Sequence, residues 1–79
     1  MLIRTQDKKL LNFNNIETIS VSTVNPNYRV VAETVSCNVR TIAIYDSEKQ
    51  AHIAIDCIKQ AYINGCTLVE FEENCIKRN

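Results

Sequence analysis

His52 and Asp56 stand four residues apart in a stretch whose apolar spacing predicts a helix. A histidine and a carboxylate one helical turn apart can exchange a proton, so general acid–base chemistry is the first activity to weigh. His52 is the sole histidine. Its helix face otherwise carries Lys49, Lys59 and Gln60, which reads as solvated surface without a substrate pocket. The four cysteines, Cys37, Cys57, Cys66 and Cys75, have nineteen, eight and eight residues between successive members. No pair has the close spacing of a zinc site, so no metal is expected. Cys66 follows a predicted helix end, where the dipole does nothing to activate a thiol, so it is expected to be inert. Cys57 is expected to pack as a small hydrophobe. A single glycine excludes a conventional phosphate-binding loop. These absences argue against an enzyme, so no catalytic residue and no cofactor is assigned.

A second group of residues points to binding. Arg4, Lys8, Lys9, Arg29 and Arg40 all fall in the strand half of the chain, whereas Glu70, Glu72 and Glu73 cluster near its end. Arginine presents a planar fork that matches phosphate or carboxylate, and a tyrosine nearby can stack on a base. Arg4, Lys8, Arg29, Arg40 and Tyr45 are therefore the candidate contacts for a ligand or partner. The competing account of these charges is an ordinary solvated sheet face.

Total charge limits the partner class. Nine Lys+Arg balance nine Asp+Glu. Nucleic-acid binders gain much of their affinity from a basic excess over phosphates, so a nucleic-acid partner is disfavoured. Zero net charge also weakens self-repulsion and permits self-association.

The elements that must position these groups follow from periodicity and punctuation. Residues 2–5 and 10–13 read as two short strands around the polar turn Gln6-Asp7-Lys8-Lys9. Residues 16–23, rich in β-branched side chains, read as a third strand. Val24-Asn25-Pro26-Asn27 is the clearest turn, and residues 28–33 return from it with Tyr28, Val30 and Ala32 on one face. Residues 39–45 form the fifth strand, with Ile42 and Ile44 expected on one face and Val39, Thr41, Ala43 and Tyr45 on the other.

Ser47 with Gln50 has the form of a capping box and opens a helix over 47–64. Ala51, Ala54, Ile55, Ile58, Ala61 and Tyr62 form its core stripe. Gly65 fits its stop. Residues 67–71 have strand character, and 72–79 read as a charged, fraying tail. The expected fold is α+β: an antiparallel sheet of about five short strands, one amphipathic helix packed on one face, and a possible sixth C-terminal strand.

Seventy-nine residues at 46% hydrophobic and 23% charged suit a single domain over 1–79 with a thin core. No apolar run is long enough for a membrane span, and the first residues lack a signal-peptide pattern. The chain is therefore expected in the cytoplasm with reduced thiols. Ile53 and Cys57 lie off the core stripe, one turn apart. A thin core and a second apolar patch on the helix predict an oligomer, with a two-fold dimer as the default and Ile53 and Cys57 at its interface.

Ile3-Arg4-Thr5-Gln6-Asp7-Lys8, then Leu11 and Asn15-Ile16, and a helix start at Tyr45-Asp46-Ser47-Glu48-Lys49 with Ala51 and Ile55, form a recognisable series. It resembles small uncharacterised proteins of Gram-positive bacteria and their phages, which share an I-R-x-Q-D-K start and a Y-x-S helix start. Those proteins often place Gly-Tyr before the helix, where this chain has Ile44-Tyr45. The resemblance implies a phage or mobile-element setting, where proteins of this size often inhibit or sequester host defence components. The expected function is thus a non-enzymatic binding protein of the anti-defence kind, occupying a host protein or a small charged, nucleotide-like ligand. The alternatives are an oligomeric accessory or scaffold protein without a ligand, and a nucleic-acid-binding regulator.

Overall fold

The computed structural model describes residues 1–72 and is α+β, one helix against two three-stranded sheets. The strands are β1 (Leu2–Arg4), β2 (Leu10–Asn12), β3 (Ile16–Val24), β4 (Asn27–Thr34), β5 (Val39–Tyr45) and β6 (Leu68–Glu70), with α1 (Glu48–Ile63) between β5 and β6. The predicted tail residues 73–79 lie outside the described residues.

Local punctuation sets most of these boundaries. Ser47 is the N-cap of α1, and its hydroxyl accepts a hydrogen bond from the Gln50 backbone N–H at 3.3 Å. Glu48 sits in the first turn, where the exposed N–H groups favour an anion. At the other end Gly65 has φ +73°, a left-handed conformation that side chains with a Cβ rarely adopt. Asn12 closes β2 by accepting from the Asn14 N–H at 2.9 Å, which starts one 3-10 turn over Phe13–Asn15.

The strands divide into two sheets, not the single antiparallel sheet expected from short connections. The larger sheet runs β3-β4-β5, antiparallel throughout. The smaller runs β2-β1-β6, with β1 antiparallel to β2 and parallel to β6. The β1–β6 pairing is parallel because the chain crosses the whole larger sheet and α1 before returning, as a parallel neighbour requires.

One core joins these layers. Val30 and Ala32 from β4, Ala43 and Tyr45 from β5, Ala51, Ala54 and Ile58 from α1, and Ile3 from β1 are buried together with Ile42 and Phe71. The helix touches all three strands of the larger sheet and also β6. Ala51, Ala54 and Ile58 are the buried members of the predicted stripe. Ile55 is half-buried. Tyr62 departs from expectation: it is 62% exposed, with its ring 5.3 Å from that of Phe13.

Two β-bulges change the predicted faces. Ile16 pairs with Thr34 while Thr18 pairs with Glu33, so Glu17 is the extra residue. The insertion brings Ile16 to the same side as Ile19 and Val21, against the core. In β5, Val30 pairs with Ala43 while Val31 pairs with Thr41, leaving Ile42 as the extra residue. Ile42 and Ala43 are therefore both buried, and Ile44 is turned outward at 47% exposure. Ile42 and Ile44 do not share a face, because the insertion breaks the two-residue alternation between them.

No helix among the described residues is long and apolar enough to cross a membrane.

Candidate functional site

The loop over residues 5–9 is built around a buried threonine. Thr5 is 2% exposed. Its backbone N–H donates to the Lys9 carbonyl at 2.8 Å, and its carbonyl accepts from the Lys8 N–H at 2.9 Å. Its hydroxyl accepts from the Lys9 N–H at 3.0 Å and donates to the Asp7 carboxylate. That hydrogen bond holds the Asp7 carboxyl below its usual range, helped by the nearby Lys9 ammonium, which lies 3.8 Å away. Closing so tight a loop forces Lys8 to φ +69°. A lysine gains nothing from a left-handed backbone, where glycine would sit without strain.

This loop is fastened to the edge of β5 at its bulge. The Gln6 N–H donates to the Ile42 carbonyl at 2.9 Å. The Gln6 side-chain oxygen accepts from the Ile44 N–H at 2.7 Å. One residue thus supplies both an N–H and a carbonyl oxygen, as a neighbouring strand would. Between loop and strand lies a cleft of about 530 Å³, lined by Gln6, Asp7, Lys8 and residues 41–44. Its volume falls within the ~300–1,000 Å³ typical of small-molecule sites.

Four of the five predicted contacts gather around this loop. Lys8 lines the main cleft and also a smaller one of about 230 Å³ that it shares with Arg4 and Glu70. Arg4 is paired with Glu70 at 3.8 Å on the outer side of the smaller sheet. Arg40 lines a third cleft, of about 270 Å³, with Asp7, Lys9 and Thr41. Arg29 reaches the same place from β4, donating to the Thr41 hydroxyl at 3.4 Å. Lys8, Arg29 and Arg40 form no ion pair among the described residues. Cations therefore gather around the loop, with Asp7 beside the main cleft and Glu70 and Glu72 beside the smaller one.

Tyr45 does not belong to that group. It is 3% exposed and packs in the core, so its ring offers no surface for stacking a base. It lines a separate groove of about 300 Å³ with Gln50, Ile53, Ala54, Cys57 and residues 69–71. Ile53, 43% exposed, and Cys57 share this groove between α1 and β6. Cys57 is exposed and not packed as a core residue, because its helix position faces away from the larger sheet. Cys37 and Cys66 are also free and exposed, and Cys75 lies outside the described residues.

His52 is placed differently from the expectation. Its Nε2 lies 3.7 Å from Glu48, one turn back, which is its ion-pair partner among the described residues. Both side chains are more than half exposed. Among the described residues no cluster of histidine, cysteine, aspartate and glutamate could hold a metal ion.

Sequence reasoning identified the cations and missed what assembles them. Thr5, Gln6, Asp7 and Thr41 are the residues that fold the loop and link it to Arg29. The polar run Thr5-Gln6-Asp7-Lys8-Lys9 was the available signal, but it reads as a plain turn until Gln6 is seen beside β5.

Compared with models of known protein families, with curated proteins and with solved structures, the chain matches none.

Proposed function

We propose that this chain is a non-enzymatic binding protein that holds a small anionic ligand of the nucleotide class in the cleft between loop 5–9 and β5. By occupying such a ligand it would act as a sequestering factor in the cytoplasm of a bacterial host, the anti-defence role that the phage-protein resemblance implies. The observation that carries the reading is Lys8. Lys8 lines the cleft without an ion-pair partner among the described residues, on a backbone held at φ +69°. Strained backbone persists where a tight surrounding network holds it, and it concentrates at ligand-binding loops.

The chemistry of these cations fits this class. Lys8 offers a point charge, and Arg29 and Arg40 offer planar donors suited to phosphate oxygens. Ile44, exposed beside Arg29, gives an apolar surface for a base or sugar. The β5 bulge supports the reading too, since bulges are frequent beside binding sites, where they re-aim side chains. The test is the melting temperature with pyrophosphate, AMP and ADP at increasing concentration. A ligand of the native state must raise it. The reading expects at least one of the three to do so with a salt-sensitive affinity. No shift with any of them overturns it.

A further inference from the structure

We infer that the free edge of β3 is a self-pairing surface, on which a second copy of this chain docks its own β3 in antiparallel register. The two larger sheets would then join into one six-stranded sheet, ordered β5-β4-β3-β3-β4-β5. This goes beyond the ligand site and does not depend on it.

The argument begins with the edges. β1, β2 and β6 are three residues long, too short to template another chain. The edge of β5 is occupied by Gln6. β3 is nine residues long, and β4 is its one neighbour in the sheet. No backbone hydrogen bond from another described element reaches residues 17–24. Natural proteins guard such an edge with lysine, proline, an inward charge or a bulge, and β3 carries its bulge and its one charge at Glu17, near its start. Residues 18–24 contain none of these: they are Thr, Ile, Ser, Val, Ser, Thr and Val.

The core gives a second argument. Val30 and Ala32 are fully buried. Their register partners on β3, Val21 and Ile19, lie on the same side of the sheet and are only half-buried. The apolar layer therefore stops incomplete at β3. It needs apolar side chains on the next strand.

A second β3 supplies them. The strand runs from Ile16 to Val24, so a two-fold axis through its middle passes at Ser20. In that register Ile19 of one copy faces Val21 of the other, on both sides of the axis. Thr18 faces Ser22, and the regular ladder ends there, because the bulge at Glu17 breaks the alternation. No like charges meet. Hydroxyl pairs on the outer face and apolar pairs on the core side both favour antiparallel association. The contact is isologous, so it closes at two copies.

Solution mass under reducing conditions tests this. The parent chain is expected to show twice the mass of one 9.0 kDa chain. Ser20→Lys puts two ammonium groups opposite each other at the axis, and Ser20→Glu does the same with carboxylates. Each variant alone is expected to run as a folded monomer, because Ser20 is exposed. An equimolar mixture of the two is expected to recover the dimer mass, which shows that both are folded and that the edges meet. A monomeric parent overturns the proposal, and would leave the edge to a strand of some other protein. So does a dimer that survives Ser20→Lys but is lost with Ile53→Asp, which would move the interface to the α1–β6 groove.

Discussion

The two edges of the larger sheet have opposite fates. β5 is bulged at Ile42, fastened to loop 5–9 by Gln6, and surrounded by Lys8, Arg29 and Arg40. β3 is long, uncharged over residues 18–24 and paired with β4 alone among the described residues. Both edges start with the same problem, a row of unpaired backbone groups. At β5 a loop of the same chain solves it, and the solution creates a cleft. At β3 no described residue does so. One sheet can thus divide its edges between holding a ligand and meeting a second copy, without a residue having to serve both.

The largest test of this contrast is to loosen what holds the loop. Ile3 is fully buried in the centre strand of the smaller sheet. Ile3→Ala should cost about 2–5 kcal/mol, by lost burial and the cavity left behind. Urea unfolding measures it. Binding at the β5 edge should weaken as well, because β1 leads directly into the loop. A cost well under 1 kcal/mol would mean that the smaller sheet does not anchor this edge.

The next test acts inside the loop. Thr5→Ala removes the acceptor for the Lys9 N–H and the donor to Asp7. It should cost about 1–3 kcal/mol, the range for stranding a sheltered polar group. It should also change the acid limb of stability. The Thr5 hydroxyl and the Lys9 charge depress the Asp7 pKa in the folded state. The stability this adds is complete above the ordinary aspartate pKa of ~3.9 and is lost as pH falls through the lower folded value. In Thr5→Ala that loss should shrink, because its largest cause is gone. Unfolding curves between neutral pH and the acid range compare the two proteins. An identical acid limb would show that Thr5 does not set the Asp7 carboxyl.

A smaller effect converts one edge toward the other. Gln6→Ala deletes the acceptor for the Ile44 N–H, a change of about 1 kcal/mol. Amide exchange should then lose protection at Ile44 before it loses any at Val30, which lies in the centre strand. Equal protection at Ile44 in parent and variant would mean that the side chain does not close the β5 edge.

The elements were legible because each carries local punctuation. Ser47 with Gln50, Gly65, and the Asn-Pro-Asn turn fix their boundaries through hydrogen bonds and backbone conformations reaching three or four residues. The bulges were not legible. Glu17 and Ile42 are inserted because Ile16 and Ala43 must both reach a core shared with α1, and such packing has no local sequence mark. The division into two sheets was hidden for a related reason: β6 joins β1 across the length of the chain. At the site, the residue types of Arg4, Lys8, Arg29 and Arg40 could be read directly. Their convergence could not, since it depends on Gln6 acting as a strand would. Tyr45 was misjudged as a surface ring because it was read as a stacking partner for the strand arginines, whereas it is buried in the core shared with α1.

Lys8→Gly tests the central claim most directly, since it separates the ligand site from the fold. Glycine accepts φ +69° freely, so the variant should be as stable as the parent or up to about 1 kcal/mol more stable. Isothermal titration should then be run on both proteins with the anion, among pyrophosphate, AMP and ADP, that raises the melting temperature of the parent. The account predicts that affinity falls about tenfold or more in Lys8→Gly, the loss of one charge-assisted contact, while stability holds or rises. Unchanged affinity in an equally stable variant would contradict it, and would place the anion away from the cleft between loop 5–9 and β5.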